Sequence, residues 1–398
     1  MIIFVINSGS SSIKYQLIKM PEEQPICSGL IERIGAENAT ITHKVYKAGK
    51  EEKFVETLHI KDHANGLRAV VNLLANDKIG VIKDPAEIKV IGHRVVHGGE
   101  FFANTSIVTD KVKDEIKKLF ALAPLHNPAN YLGIEVAEEI FPAAKQIVVF
   151  DTAFHQTMPE EAFRYAIPNK YYYDNAIRVY GFHGTSHKYV SEKATDYLQK
   201  KDAKLIILHL GNGCSMSAVN AGKCIDTSMG FGPLSGLIMG TRSGDIDPSV
   251  VFYMVNEMGL SPNEVSDILN KQSGMLGLTG LSDMRDINKA VEDNNKDAIL
   301  ATKMYAYRAK KFIGSYIAAL NGVDAIVFTA GVGENDTTTR AHICENMDAL
   351  GIVLDPEKNN RRSGELREIN TTTGKVKILV VPTNEEVEIA RQCFALAD

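Results

Sequence analysis

The chain has 398 residues, 44% of them hydrophobic, and a formal net charge of -5. At about 100–200 residues per domain this is a two-domain length, long enough to bury a core in each. The mild acidity argues against nonspecific nucleic-acid binding, and the longest apolar runs fall far short of the ~18 residues of a membrane span.

In chain order, residues 2–6 form a continuous apolar run, the pattern of a strand covered on both faces. Asn7, Ser8, Gly9, Ser10, Ser11 and Ser12 follow as a turn of small residues, and Ile13, Tyr15 and Leu17 then alternate with Lys14 and Gln16. The spacing predicts a hairpin with Lys14 on the face opposite the apolar side chains. The start has neither a basic leader nor a cleavage site, so the expected location is the cytoplasm. The five cysteines are odd in number and form no CxxC pair, which fits free thiols in a reducing compartment.

His93 and His97 share a His-x₃-His spacing, but flanking glycines predict strand and turn rather than a zinc-binding helix face. Helical patterns fill 111–122 and 128–140. The apolar run 147–149 predicts a strand with Asp151 at its carboxyl end, where α/β enzymes place their sites. His183 and His187 repeat the His-x₃-His spacing, but Gly184 and Thr185 open a helix poorly, and the next helical pattern is taken at 187–200. Residues 205–219 repeat the opening plan: an apolar strand, a Gly211-Asn212-Gly213 turn and a returning strand. Two copies about half the chain apart predict a duplicated α/β domain.

Residues 226–248 hold five glycines with neither helical nor strand period. Long irregular segments of this kind are usually functional, and Arg242 sits inside this one among small residues. The alternative for Arg242 is an ion pair with Asp245 or Asp247. A helical pattern at 297–320 and a strand at 325–329 lead to a third glycine turn, Gly331 to Asn335. A strand at 378–381 is halted by Pro382, and Thr383 with Glu386 predicts a capping box before a terminal helix. Glycine and serine turns after apolar strands offer backbone N–H groups to phosphate, and three of them occur here: 7–12, 211–215 and 331–335. None is a P-loop, and none carries the dinucleotide fingerprint. The chemistry indicated is phosphoryl transfer.

Residues 7–14, 180–187, 209–215, 226–247, 331–335 and 382–386 resemble the acetate kinase (acetokinase) family. That family lies in the superfamily of acetate and sugar kinases, heat-shock ATPases and actin. The resemblance runs from residue 3 to about 391. It implies two duplicated ribonuclease H-like (actin-like ATPase) α/β domains around a central nucleotide cleft, usually in a homodimer. Residues 1–151 with 385–398 would form the N-terminal acceptor and metal-side domain. Residues 152–384 would form the C-terminal nucleotide-binding domain. The implied activity is reversible transfer of the ATP γ-phosphoryl group to acetate, giving acetyl phosphate and ADP. Propionate or butyrate kinase is the alternative within the family.

The resemblance also assigns roles. Asn7 and Glu385 match Mg²⁺ positions, with Mn²⁺ as a substitute ion; the alternative for Glu385 is a favourable first-turn acid. Arg94 matches a carboxylate-binding arginine and Asp151 a catalytic acid, for which a cap is the alternative. His183 and Arg242 match transition-state stabilisers. Leu125, His126, Phe182 and Pro233 match positions around the acceptor. Lys14, Ser10 and Ser12 approach the nucleotide phosphates. His209, Leu210, Gly211, Asn212, Gly213, Asp283, Met284, Arg285, Gly331, Val332, Gly333, Glu334 and Asn335 match nucleotide-binding positions. Val96, two residues beyond Arg94 on a presumed strand, is expected on the same face, narrowing the acceptor pocket and favouring acetate over propionate. Expected partners are acetate, acetyl phosphate, ATP and ADP, with no nucleic acid and no membrane.

Overall fold

A computed structural model describes residues 1–47, 50–124 and 126–397. The chain divides into two units, Met1–Ala153 with Asn384–Asp398, and Phe154–Thr383.

The first unit is built on an eight-stranded sheet. Its strands are β1 (Ile2–Ser8), β2 (Ser12–Lys19), β3 (Gln24–Glu32), β4 (Ala39–Lys47), β5 (Lys50–Leu58), β6 (Val90–Val95), β7 (Ser106–Ile107) and β8 (Lys145–Phe150). The predicted hairpin is present, with Asn7 paired to Lys14. The spatial order is β5-β4-β3-β2-β1-β6-β8-β7. β6 and β8 run parallel to β1, an arrangement that requires crossovers; helix His63–Leu74 lies between β1 and β6 in sequence, and helix Asn127–Ile140 precedes β8. Leu67, Val70 and Leu74 of the first helix and Val136 and Ala137 of the second pack with Phe4, Ile6, Tyr15 and Ile91 in one buried cluster.

The closing helix of this unit, Glu385–Phe394, packs on β6. Gly92 permits the approach: a Cβ there would stand 2.6 Å from Cys393 Sγ and 2.9 Å from an Ile389 methyl. Ile389 and Cys393 are fully buried as a result. The helix is capped by Asn384, whose side chain accepts from the Val387 N–H, and not by the predicted Thr383–Glu386 box. Thr383 instead gives its N–H to Glu334.

The second unit repeats the plan on six strands. These are β9 (Lys204–Leu210), β10 (Cys214–Asn220), β11 (Lys223–Thr227), β12 (Ala325–Thr329), β13 (Arg367–Glu368) and β14 (Lys377–Val380). β11-β10-β9-β12-β14 matches β3-β2-β1-β6-β8 in order and direction: an antiparallel meander of three, then two parallel strands. That correspondence is the duplication read from the sequence, and each unit is a ribonuclease H-like α/β fold of the actin-like ATPase type.

Three local expectations are revised. Helix Gly184–Leu198 begins at Gly184, three residues earlier than expected, because His183 takes a left-handed conformation (φ 58°) as the residue before it. Gly331 to Asn335 is not a turn but part of the short helix Ala330–Asn335, entered through Ala330 at φ 64°. β6 ends at Val95, so alternation along a strand does not extend to Val96. The backbone groups beyond it are taken by side chains of helix Asn127–Ile140. Asn130 Oδ1 accepts the Val96 N–H at 3.0 Å, and Asn127 binds both the N–H and the carbonyl of His97.

Candidate active site

In the first unit, the carboxyl ends of β1, β6 and β8 bring Asn7, Arg94 and Asp151 together. Arg94 Nη2 forms a short ion pair with Asp151 Oδ2, and Nη1 donates to Asn7 Oδ1 at 3.4 Å. Glu385 Oε2 lies 3.9 Å from Arg94 Nε. Asp151 is 1% exposed and Arg94 18%. Asp151 is therefore the buried carboxylate that holds the guanidinium. Glu386, next to Glu385, pairs with Lys14 at 2.5 Å, so β2 also reaches this corner.

The Glu385 carboxyl is pushed up to about 7. Burial is the largest cause, opposed by Arg94 and Lys14 and reinforced by Asp151 and Glu386. Arg94 and Lys14 together supply two positive charges against the three neighbouring acids Asp151, Glu385 and Glu386, and a further cation is favoured. The donors on offer, an amide oxygen and carboxylates, are hard ligands suited to Mg²⁺, which keeps several waters and takes few protein oxygens. Asn7 and Glu385 thus fit such an ion. The turn before β2 is closed by Gly9 N–H to Ser12 carbonyl at 2.8 Å, and His63 donates to the Gly9 carbonyl at 2.7 Å. Ser10 is exposed and Ser12 half-buried.

Leu125 lies outside the described residues. His126 is half-buried at the start of helix Asn127–Ile140, and Val96 is 6% exposed. His93 donates to Gln146 Oε1 and His97 Nδ1 accepts from the Gly99 N–H, so neither behaves as a zinc ligand.

In the second unit, a cavity of about 710 Å³ is lined by Gly211, Asn212, Asp283, Met284, Arg285, Gly331, Val332 and Asn335, among others. Three segments far apart in sequence therefore meet at one cavity, of a size usual for a small-molecule site. Asp283 caps helix Met284–Glu292 and is held down to about 2, chiefly by hydrogen bonds from the Arg285 side chain and N–H. Asn288 donates to Asp336 at 2.8 Å and ties two walls of the cavity together.

Other expected residues have different surroundings. Gly333 packs against Phe328 and Leu208. Glu334 accepts from the Ala330 and Thr383 N–H groups, so its carboxylate anchors the short helix. Leu210 is fully buried, and His209 Nδ1 meets Ser186 Oγ at 2.8 Å. Tyr305, Met275, Asn288 and Asp336 line the cavity without any local signal in the sequence. Helix or loop periodicity cannot single them out.

Beside the cavity, His183 and Arg242 converge on Gly213. A Cβ there would stand 3.5 Å from His183 Nε2 and 3.7 Å from Arg242 Nη1. The glycine-rich segment holding Arg242 is irregular but pinned. Met239 and Gly240 carbonyls accept from Met275 and Leu276, and the Gly240 N–H donates to Asn212. Neither aspartate pairs with Arg242. Asp245 accepts from the Gly236 N–H, and Asp247 caps helix Pro248–Asn256. Arg242 Nη1 donates to the Pro233 carbonyl at 3.0 Å, and among the described residues it has no carboxylate partner. Burial draws its pKa below the usual value, yet an arginine stays charged, so this is a cation waiting for an anion. Phe182 is 3% exposed and Pro233 half-buried in this unit.

A family profile described as the acetokinase family matches residues 2–391. The chain is 60% identical over 396 residues to an acetate kinase of Flavobacterium johnsoniae, covering 100% of this chain and 99% of that one. It is 52% identical to an acetate kinase of Thermotoga petrophila, covering 98% and 97%. The fold matches a crystal structure of Porphyromonas gingivalis acetate kinase with a TM-score of 0.94 at 42% identity, over 100% of both chains. It also matches a propionate kinase from Francisella tularensis with a TM-score of 0.93 at 42% identity, over 99% of both.

Proposed function

The chain belongs to the acetokinase family and is a phosphotransferase of the acetate kinase type, and from that premise we propose how its residues share the reaction. ATP enters the cavity formed by the turn at 211–213, the start of helix Met284–Glu292 and the short helix Ala330–Asn335. Its γ-phosphoryl group passes in line to an acetate oxygen, giving acetyl phosphate and ADP. Acetate is already ionised at neutral pH, so no general base is required, and catalysis is positioning plus charge neutralisation. Arg94, fixed by Asp151, offers its planar fork to the acetate carboxylate. Arg242 neutralises developing charge on the phosphoryl oxygens, and His183 donates a hydrogen bond to them. Asn7 and Glu385 would hold Mg²⁺, whose contribution is charge neutralisation on the nucleotide phosphates. Lys14 lies at the same corner, paired with Glu386 through a half-exposed side chain, and is assigned to the nucleotide phosphates. The observation that carries this reading is Arg242: a half-buried cation beside His183 and the cavity, without a carboxylate to answer it.

A hydroxamate assay with acetate, propionate and butyrate, each with ATP and Mg²⁺, tests the proposal. Acetate should give the highest kcat/KM and propionate a lower but measurable one. A higher kcat/KM with propionate or butyrate would transfer the chain to that branch of the family.

The raised Glu385 carboxyl makes metal binding pH-dependent. Below about 7 the group holds a proton that Mg²⁺ must displace. Apparent Mg²⁺ affinity is expected to weaken by up to ~tenfold per pH unit below that point and to level off above it. The sign for stability is the reverse. Without metal, the folded chain binds a proton that the unfolded chain releases near pH 4.5, so this group's contribution falls as pH rises from 4.5 towards 7. Thermal melts with and without Mg²⁺ at pH 6 and pH 8 should show the larger Mg²⁺ shift at pH 8. Equal shifts would remove Glu385 from the metal site.

We further propose a cytoplasmic homodimer. Among the described residues all five cysteines are free and buried, which suits a reducing compartment, and no helix is long and apolar enough to cross a membrane. Helix Pro248–Asn256 has an apolar sequence but no buried residue, with Phe252 65% and Tyr253 61% exposed. Such a face marks an interaction surface. Phe252→Asp with Tyr253→Asp should shift sedimentation from dimer to monomer. An unchanged dimer would place the interface elsewhere.

A further inference from the structure

The two histidines at His-x₃-His spacing, His183 just before helix Gly184–Leu198 and His187 in its first turn, face one hydroxyl. Ser215 Oγ, on β10, lies 2.9 Å from His183 Nδ1 and 2.7 Å from His187 Nε2. A serine has one proton to give, so of its two ring contacts it donates to one and accepts from the other. The direction is set at the far end. His187 is fully buried, and its Nδ1 has no hydrogen-bond partner. A buried N–H left unpaired is rarer and costlier than a bare ring lone pair, so Nδ1 is the unprotonated nitrogen and Nε2 carries the hydrogen. Burial, with His155 and His209 close by, drives the His187 pKa well below its usual value, so the ring is not doubly protonated.

We infer that His187 and Ser215 are positioning residues that set the tautomer of His183. His187 Nε2–H donates to Ser215 Oγ, and the Ser215 hydroxyl donates to His183 Nδ1. His183 Nδ1 is thereby an acceptor, and the ring hydrogen sits on Nε2, the atom that approaches Gly213 beside Arg242. The hydrogen is held where a phosphoryl oxygen would receive it. His209 stacks on the His183 ring at 4.2 Å and 20°, and is itself held by Ser186, whose hydroxyl contacts that of Thr383. Tautomer and ring plane are thus fixed by separate partners. Register explains the economy: Ser215 and His209 are cross-strand neighbours on β10 and β9.

This inference rests on the proposed role of His183, and its test separates the two. Histidine-labelled protein examined by ¹⁵N NMR should show His183 as the Nε2–H tautomer in the wild type. Ser215→Ala should populate the Nδ1–H form and lower kcat about tenfold, the worth of one orienting hydrogen bond, with nucleotide Kd unchanged. His187→Gln, whose amide nitrogen can donate from the place of Nε2, should keep both tautomer and kcat. A wild-type His183 protonated at Nδ1, or a Ser215→Ala spectrum and kcat like wild type, would overturn the relay. So would a His187→Gln variant as impaired as Ser215→Ala. An unchanged kcat in His183→Ala would instead overturn the catalytic role, whatever the spectrum shows.

Discussion

Replacing Arg242 with alanine is expected to lower kcat by about 10²–10³ while leaving nucleotide affinity and stability nearly unchanged. The stability half follows from the environment. Arg242 donates to the Pro233 carbonyl and approaches Met239 Sδ, and no carboxylate among the described residues depends on it. Its removal costs no more than an ordinary hydrogen bond, about 0.5–1.5 kcal/mol. The kinetic half follows from its place beside His183 Nε2 at Gly213, where charge would develop during transfer rather than in the bound substrate. Arg242→Lys should recover only part of the loss, because an ammonium is a point charge on a flexible stem and cannot span two oxygens as a guanidinium does. The hydroxamate assay reads kcat, calorimetry reads the nucleotide Kd, and urea melts read stability. A kcat within a few-fold of wild type would remove Arg242 from the reaction.

Arg94→Leu should behave differently, losing both activity and stability. Asp151 is almost completely buried, and Glu385 stands beside it. Removing one partner of a buried ion pair leaves an uncompensated charge and costs about 3–5 kcal/mol. Adding Asp151→Asn should restore much of that stability, because the stranded charge is then gone. Activity should stay lost, because nothing replaces the guanidinium fork. In urea unfolding the two substitutions should therefore be strongly non-additive, with kcat/KM for acetate low in both variants. Additive stability losses would mean that the pair is not coupled. A wild-type kcat/KM in Arg94→Leu would end its role in holding the acceptor.

The sequence makes the inner hairpins legible because strands covered on both faces are uniformly apolar, as at 2–6 and 205–210. It does not make the outer meander legible. β5 reads Lys-Glu-Glu-Lys-Phe-Val-Glu-Thr-Leu, and its edge position leaves it almost wholly exposed, so charge conceals the strand. The start of helix Gly184–Leu198 is hidden because a left-handed His183, not a conventional cap, precedes it. The site divides in the same way. Glycine turns and the isolated Arg242 announce themselves by composition. The Arg94–Asp151 pair joins residues 57 positions apart, and the Ser215 bridge joins three side chains through two elements. No spacing rule carries either, since both depend on which strands become neighbours.

The seat that Gly92 provides for helix Glu385–Phe394 has a consequence for biosynthesis. The ribosome finishes β1, β6 and β8 early, yet the helix that covers β6 and carries Glu385 emerges only after Phe154–Thr383 has been made. A nascent chain therefore exposes the apolar surface around Gly92 throughout synthesis of the second unit, and the corner at Arg94 and Asp151 lacks Glu385 until that synthesis is done.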